Sequence, residues 1–403
     1  MSRILEGIKI IDFTEGHMGS YGTMIMADFG AEVIKIEDPG TGGDMMRRRA
    51  PKNEKGSAYH AYLNRGKKSV CVDRHTEEGK KVILDLIARA DVVCDCFPAG
   101  ELEACGLGYK DAVKVKPDII YASHTGFGKT GPLSNTAGSN LTAEAVTGLL
   151  DVTGHAGSIP TTHGSRIANQ FGNLFFLIGV IGAILVRNET GEGQEVDVAS
   201  TDSMFTALED ILIDELMTGN IYIREGNGSR AIAPYDTFEV KDGYVSTAVS
   251  TNAQWRKFCD VMGFPEYADD PRFNSNDNRG ENYDDILFHI INDRFKDMTR
   301  AEIESLLRPL NIPSGPTLTV EEAIHSEQIN HRNMVIEVED KALGKLKMPG
   351  MNIKISGEPD EPAGSAPLLG ENTLDILTMA GYSAEEIDAL KAGGIIRSAG
   401  GEK

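Results

Sequence analysis

Short β-branched runs alternate with helical patterning through the first third of the chain. Ile8–Phe13 and Glu32–Ile36 read as strands on either side of a Met- and Ala-rich helical stretch, Tyr21–Phe29, so the chain opens β-α-β. The unit repeats. Ser69–Val72, Asp91–Cys94 and Ile119–Ser123 read as strands, and Thr76–Ala90 as a helix carrying Val82, Leu84, Leu86 and Ile87. This alternation predicts an α/β fold with a doubly wound parallel sheet and helices on both faces.

The apolar run Asn173–Arg187, with Gly179 and Gly182 three apart, predicts a buried helix of about four turns packed closely on a neighbour. A strand at Glu195–Ala199 and a helix-like segment to about Met217 follow. Beyond Gly226-Asn227-Gly228 the texture changes: Tyr235–Val240 and Tyr244–Val249 form a predicted hairpin across Lys241-Asp242-Gly243. A charged helical region then runs from about Gln254 to Pro309, Pro313–Pro316 reads as a linker, and a strand-rich pattern resumes near Met334. The expected division is 1–224, a small domain at 225–325, and 326–403, with the polar tail Ser398–Lys403 frayed.

With 403 residues the chain is too long for one ordinary domain. Its 61 acidic residues against 40 Lys and Arg leave a formal charge of -21, a field that repels nucleic-acid backbones and anionic lipid. Neither partner is expected. The start, MSRILEGIKIIDF, has no basic segment leading into a long apolar one, and the run Leu174–Val186 is too short to span a bilayer, so a soluble cytoplasmic protein is expected. The five cysteines, Cys71, Cys94, Cys96, Cys105 and Cys259, contain no Cys-x-x-Cys pair and read as reduced thiols; no metal site is expected.

Several motifs fail. The turn after the first strand, Glu15-Gly16-His17-Met18-Gly19, lacks the dinucleotide glycine fingerprint. Gly126-Phe127-Gly128-Lys129-Thr130 resembles the end of a P-loop, but its first glycine would be Ser123, and Gly131-Pro132 would stop the helix that must hold the phosphates. There is no HExxH and no GxSxG.

Eight phrases, in order along nearly the whole chain, carry a resemblance. They are LEGIKIIDFT (5–14), FGAEVIKIEDPGTGGD (29–44), NRGKKSVCVD (64–73), TGFGKTGP (125–132), TGEGQEVDV (190–198), IAPYDTF (232–238), IPSGP (312–316) and APLLGENT (366–373). Together they resemble the class III CoA-transferases, the family of formyl-CoA and carnitine CoA-transferases. The resemblance implies a Rossmann-like large domain built from both chain ends, a smaller inserted α+β domain, and an interlocked homodimer. It implies no permanently bound cofactor, coenzyme A entering as acyl-CoA, and a small carboxylic acid as acceptor. In its chemistry a carboxylate attacks the thioester, CoA leaves and returns to make an enzyme thioester, and the acceptor takes the CoA. A carboxylate is needed because its oxygen forms the mixed anhydride that keeps the acyl group activated.

The catalytic aspartate of the family lies just before the apolar helix, and Ile167-Ala168-Asn169-Gln170-Phe171 matches that phrase with Asn169 at its position. An amide carries no full charge and forms no anhydride, so transfer by this chain is expected to be slow or absent. An Asp-to-Asn replacement, a member with altered chemistry, and a displaced acid such as Asp151 are three readings of it. The resemblance implies CoA contacts from His17, Met18, Asp38, Val72, Asp73, Arg74, His75, Cys96, Phe97, Pro98 and Ala104, with Asn140 and Gln170 on the substrate side. Asp38 and Ala104 stand where relatives often have Arg, which leaves Arg74, His75, Lys67 or Lys68 and backbone N–H groups to hold the phosphates. Racemases of the family use A-G-H-D, here Ala137-Gly138-Ser139-Asn140, so proton exchange beside the thioester is disfavoured.

Three functions therefore compete: a CoA-transferase, a non-catalytic acyl-CoA-binding protein or racemase relative, and a nicotinamide-dependent enzyme without its fingerprint.

Overall fold

The computed structural model describes residues 3–229 and 231–400. The chain divides into a large unit, 1–150, 162–220 and 330–403, and a smaller one, 151–161 and 221–329. In the large unit six strands are parallel: β1 (Lys9–Asp12), β2 (Glu32–Glu37), β3 (Lys68–Val72), β4 (Val92–Asp95), β5 (Ile120–Thr125) and β6 (Glu195–Ala199). Their order is β3-β2-β1-β4-β5-β6, and a two-residue strand near the C-terminus, Ile396–Arg397, runs antiparallel beside β3. The order reverses between β1 and β4, the place where a doubly wound sheet opens a crevice at its carboxyl edge.

Alternate residues of each strand feed two separate cores, as the period of two requires. Ile10, Val33, Val92 and Ile120 pack with Met24, Ile25, Phe176 and Val180 on one side; Ile11, Ile34, Val93 and Tyr121 pack with Val82, Ile83 and Leu86 on the other. Burial on both faces is why these strands were visible as near-continuous apolar runs.

The apolar helix is longer and less buried than its pattern predicts. It spans Ile167–Thr190, ends on Gly191 at φ 76°, and is long and apolar enough to cross a membrane, so the expectation of a run too short for a bilayer fails. Only one side is core: Phe176, Leu177, Val180 and Ile184 pack toward the sheet, while Ile178 and Leu185 are 65% and 62% exposed. Gly179 is the close approach, since a Cβ there would lie 2.8 Å from Val196, whereas Gly182 faces open space.

In the smaller unit β7 (Tyr235–Val240) and β8 (Gly243–Ala248) form the expected hairpin, with Gly243 at φ 136°. Pro313–Pro316 is not a linker. Ser314–Pro316 is β9, antiparallel to β8, and its Pro and Gly content is tolerated because it forms the sheet edge. Behind the sheet lie Phe238, Trp255, Phe258, Phe273 and Phe295. Of the polar tail, 401–403 lie outside the described residues.

Arg65, fully buried, donates from Nη2 to Asp28 Oδ2 at 2.7 Å and from Nη1 to the Pro349 carbonyl at 2.7 Å, tying the first helix to the C-terminal segment. Removing one partner of a buried pair strands the other charge. Arg65→Ala is therefore expected to lower unfolding free energy by about 3–5 kcal/mol, read as the shift of the urea midpoint.

Candidate active site

The parallel sheet sends the ends of β1, β2, β3, β4 and β5 to one edge, and the residues singled out in the sequence fall there in two groups. The loop after β1 is fixed from beneath by charge. Lys35, on β2 and fully buried, pairs with Asp44 at 2.9 Å and donates to the Thr14 carbonyl. Asp44 in turn accepts from Gly16 N–H at 3.2 Å and Met46 N–H at 2.8 Å. Burial works to discharge both partners, but their attraction holds the Lys35 ammonium above and the Asp44 carboxyl well below their ordinary ranges. Asp12, at the end of β1, accepts from Thr14 N–H at 2.9 Å and from Lys67 at 2.9 Å.

This corrects one expected phosphate contact. Lys67 has no exposed side-chain surface and is committed to Asp12 and the Ser20 carbonyl, so it is structural. Lys68 pairs with Glu32 at 2.6 Å, at the opposite end of the strands. The partner that buries Lys67 lies 55 residues away and left no local signal.

The first group surrounds the start of the Ile167–Thr190 helix. Asn169 is its third residue, 7% exposed, with Oδ1 buried and without a hydrogen-bond partner. Its backbone N–H donates to Asn140 Oδ1 at 3.2 Å, and the Asn140 amide donates to the fully buried Glu144. Glu144 also accepts from Thr162 Oγ1 at 3.0 Å and His163 N–H at 3.3 Å. Asn173, one turn after Asn169, donates to the Asn169 carbonyl at 2.7 Å and the His17 carbonyl at 3.0 Å, and accepts from Gly22 N–H at 3.1 Å. His17, Asn140 and Asn169 are thus one hydrogen-bonded assembly, with Gln170 half-buried beside it. Met18 follows His17, partly exposed.

His17 has a buried Nδ1 without a partner and stacks on Tyr21, 6.4 Å between centroids. Burial, aided by the Arg166 charge, lowers its imidazole to about 4, so it is neutral at pH 7. Arg166 is held by Tyr59, whose hydroxyl accepts from Nη1 at 3.0 Å. Fully buried His124 accepts from Gly19 N–H at Nδ1, 3.0 Å, which leaves Nε2 to donate to Ser200 Oγ at 3.0 Å. A Cβ on Gly172 would fall 2.1 Å from that Nε2, so only glycine fits where the helix crosses His124. Sequence reasoning missed Asn173, His124 and Glu144; Asn173 alone left a signal, as a polar residue opening an apolar run one turn after Asn169. The other acid considered, Asp151, belongs to the smaller unit, 72% exposed and paired with Arg224 at 2.9 Å.

The second group lies at the ends of β2, β3 and β4. His75 Nε2 stands 3.5 Å from Asp38, Arg74 covers the Phe97 ring at 4.7 Å, and Val72 is buried at the strand end. Cys96 is buried, Glu15 N–H donating to its sulfur at 3.1 Å, and burial pushes its thiol far up. Asp73 and Pro98 are half-buried, and Ala104 is exposed. Arg74 also faces Glu15 at 3.9 Å and Glu101 at 3.6 Å.

The profile of CoA-transferase family III matches residues 5–373. The chain belongs to this family. It is 32% identical over 393 residues to the human succinyl-CoA:glutarate CoA-transferase, covering 97% of this chain and 90% of that one. It is 34% identical over 369 residues to the acetyl-CoA:oxalate CoA-transferase of Acetobacter aceti, covering 91% and 93%. Among solved structures, a CAIB/BAIF family protein from Brucella suis superposes with a TM-score of 0.82 at 31% identity, covering 94% of this chain and all of that one. Members of CoA-transferase family III such as these move CoA between acids, which places this chain in the transferase class.

The neutral histidines set a pH dependence. His17 at about 4 and His124 at about 3, where burial is the leading cause and His17 adds to it, bind protons in the folded state far less readily than in the unfolded one. Their contribution is complete above pH ~6.5 and is lost as pH falls toward those values. The unfolding free energy should decline below pH ~6.5 with a slope approaching 1.4 kcal/mol per unit for each histidine. His124→Gln should show a shallower decline by about one proton in urea titrations across pH.

Proposed function

We propose that this chain is a cytoplasmic class III CoA-transferase scaffold whose transfer chemistry is disabled by Asn169. The observation that carries the reading is the placement of Asn169: third residue of a long helix, nearly buried, its side-chain oxygen unpartnered, at the carboxyl edge of the sheet. With aspartate there, a helix N-terminus would favour the carboxylate and the negative charge developing on the attacked carbonyl. The carboxylate would attack the acyl-CoA carbonyl, release CoA as thiolate and hold the acyl group as a mixed anhydride. The thiolate would then attack the aspartyl carbonyl, free the donor acid and leave an enzyme thioester for the acceptor. An amide at 169 keeps the shape and loses the charge, so acyl-CoA binding remains while transfer stops.

The acid is a short one. Glutarate and oxalate, named for the two relatives above, are dicarboxylic acids, and Arg166, at the helix start and held by Tyr59, offers a cation for a second carboxylate. The second group, around Arg74, His75 and Phe97, takes the nucleotide end of CoA, Phe97 and Arg74 supplying a stacked surface. The exposed apolar stripe Leu174, Phe175, Ile178 and Leu185 is read as the face that meets a second copy in an interlocked homodimer, the smaller unit being the inserted α+β domain of the family.

The test compares CoA exchange, followed by mass spectrometry with a panel of acyl-CoA donors and acids, for the chain and Asn169→Asp. Exchange should rise by roughly 10³-fold or more in the variant, the scale on which losing a covalent nucleophile acts. Equal exchange by both proteins would remove Asn169 from the nucleophile position and return the search to another acid.

A further inference from the structure

Asp38, Asp73 and His75, all among the expected CoA contacts, form a cluster of two carboxylates and an imidazole that is not itself suited to a phosphate. Their ligand atoms lie within 4.8 Å of one another, brought together by the ends of β2 and β3. Asp38 is nine-tenths buried. Its Oδ1 accepts from Gly40 N–H at 2.7 Å, and its Oδ2 faces only the His75 ring, at 3.5 Å. Five buried acids of the large unit have fixed cations: Asp12 has Lys67, Asp28 has Arg65, Glu37 has Arg47, Asp44 has Lys35 and Asp95 has Lys129. Buried Glu144 and Asp340 have none, but each accepts two or more hydrogen bonds, from Asn140, Thr162 and His163 and from the Ala342 and Leu343 N–H groups. Among the described residues neither Asp38 nor Asp73 has a Lys or Arg in ion-pair distance. A buried carboxylate left to an imidazole, with a second carboxylate alongside, calls for a cation from outside.

We propose that Asp38, Asp73 and His75 bind a divalent cation of the Mn²⁺ or Zn²⁺ kind, two carboxylate oxygens and one imidazole nitrogen being donors suited to that class. Bonds of about 2.1 Å to a tetrahedral ion set neighbouring ligands roughly 3.4 Å apart, close to the His75–Asp38 separation of 3.5 Å. The outer shell fits too. The His75 backbone N–H donates to Asp73 Oδ1 at 2.9 Å. Of the His75 ring, Nδ1 faces Cys105 Sγ at 3.7 Å, and Nδ1–H toward sulfur leaves Nε2 free to bind metal. His75 is 58% exposed, so the remaining positions of the ion open outward to a further ligand.

Resting on the reading that CoA's nucleotide end binds here, that further ligand is a phosphate oxygen. Asp38 and Asp73, with Glu15 and Glu101 on either side of Arg74, make this edge repulsive to a polyphosphate; an ion between carboxylate and phosphate reverses the sign. The cluster escaped the sequence because Asp38 and the Asp73–His75 pair belong to different strands and show no metal-ligand spacing.

The test is a Mn²⁺ titration of the EDTA-stripped full chain, following the six-line electron paramagnetic resonance signal of free Mn²⁺. One ion per chain should bind, at least about tenfold more weakly in Asp38→Asn and in His75→Ala, and circular dichroism should show both variants folded. CoA should tighten Mn²⁺ binding, and Mn²⁺ should tighten CoA binding by the same factor. A free-Mn²⁺ signal unchanged at millimolar protein, or binding unaffected by both substitutions, overturns the site. Binding without coupling to CoA overturns the phosphate bridge. CoA failing to raise the melting temperature in EDTA and in Mn²⁺ alike would instead sink the CoA reading, and leaves the ion titration to decide the site by itself.

Discussion

The buried ammonium of Lys35 is the constraint on which the functional edge depends. A charge with no solvent is tolerated only where carboxylates and carbonyls replace its water, and here Asp44, Asp12, Glu37 and the Thr14 carbonyl do so. Those partners belong to the end of β1, the end of β2 and the segment beyond β2. Satisfying one lysine therefore fixes the loop that carries His17 and the turn that follows Asp38. Both groups of residues are set by the same interaction.

Around position 169 the backbone and neighbouring side chains are held by polar contacts on every side. Asn173 clamps the His17 loop, the first helix and the Asn169 carbonyl at once, and Asn140 is oriented by Glu144. None of these contacts uses the Asn169 side chain. Its Oδ1 is left unsatisfied in the interior, a condition folded proteins avoid unless a ligand or a reaction makes use of the atom. An amide has the shape of a carboxylate without its charge, so the packing around position 169 suits either side chain.

The parts of the fold legible in the sequence were those where burial is symmetrical. β1, β2 and β4 lie between two cores, so the adjacent pairs Ile10-Ile11, Val33-Ile34 and Val92-Val93 are apolar on both faces, and the hairpin of β7 and β8 was marked by a glycine where positive φ is required. Elements governed by partners far along the chain were not legible. Ser314–Pro316 looked like a linker because Pro and Gly suit an edge strand as well as a connection. Lys67 looked available to a phosphate because Asp12, which takes its charge, lies 55 residues before it. The apolar helix looked wholly buried because hydropathy counts residues and not faces, and its outward stripe, Ile178 and Leu185 above all, is exposed. For the candidate site, the resemblance pointed to Asn169 and His17; the polar residues around them, His124, Asn173 and Glu144, are ordinary by type and become identifiable only through their contacts.

The strand order is that of dinucleotide-binding proteins, yet the place where such proteins seat a pyrophosphate is already filled. There the first helix would turn free N–H groups toward the phosphates. Here Gly19 N–H donates to His124 and Gly22 N–H to Asn173, and Gly19 itself is forced by Thr14, whose methyl would lie 2.3 Å from any Cβ. Two of the N–H groups at this helix start are thus taken by neutral side chains rather than left for an anion. What the crevice retains is a second helix start, that of Ile167–Thr190, carrying Asn169 and facing neutral His17. One arrangement of strands thus supports two unrelated uses of its carboxyl edge, and the choice between them is made by which helix start is satisfied internally and which is left with an unpartnered group.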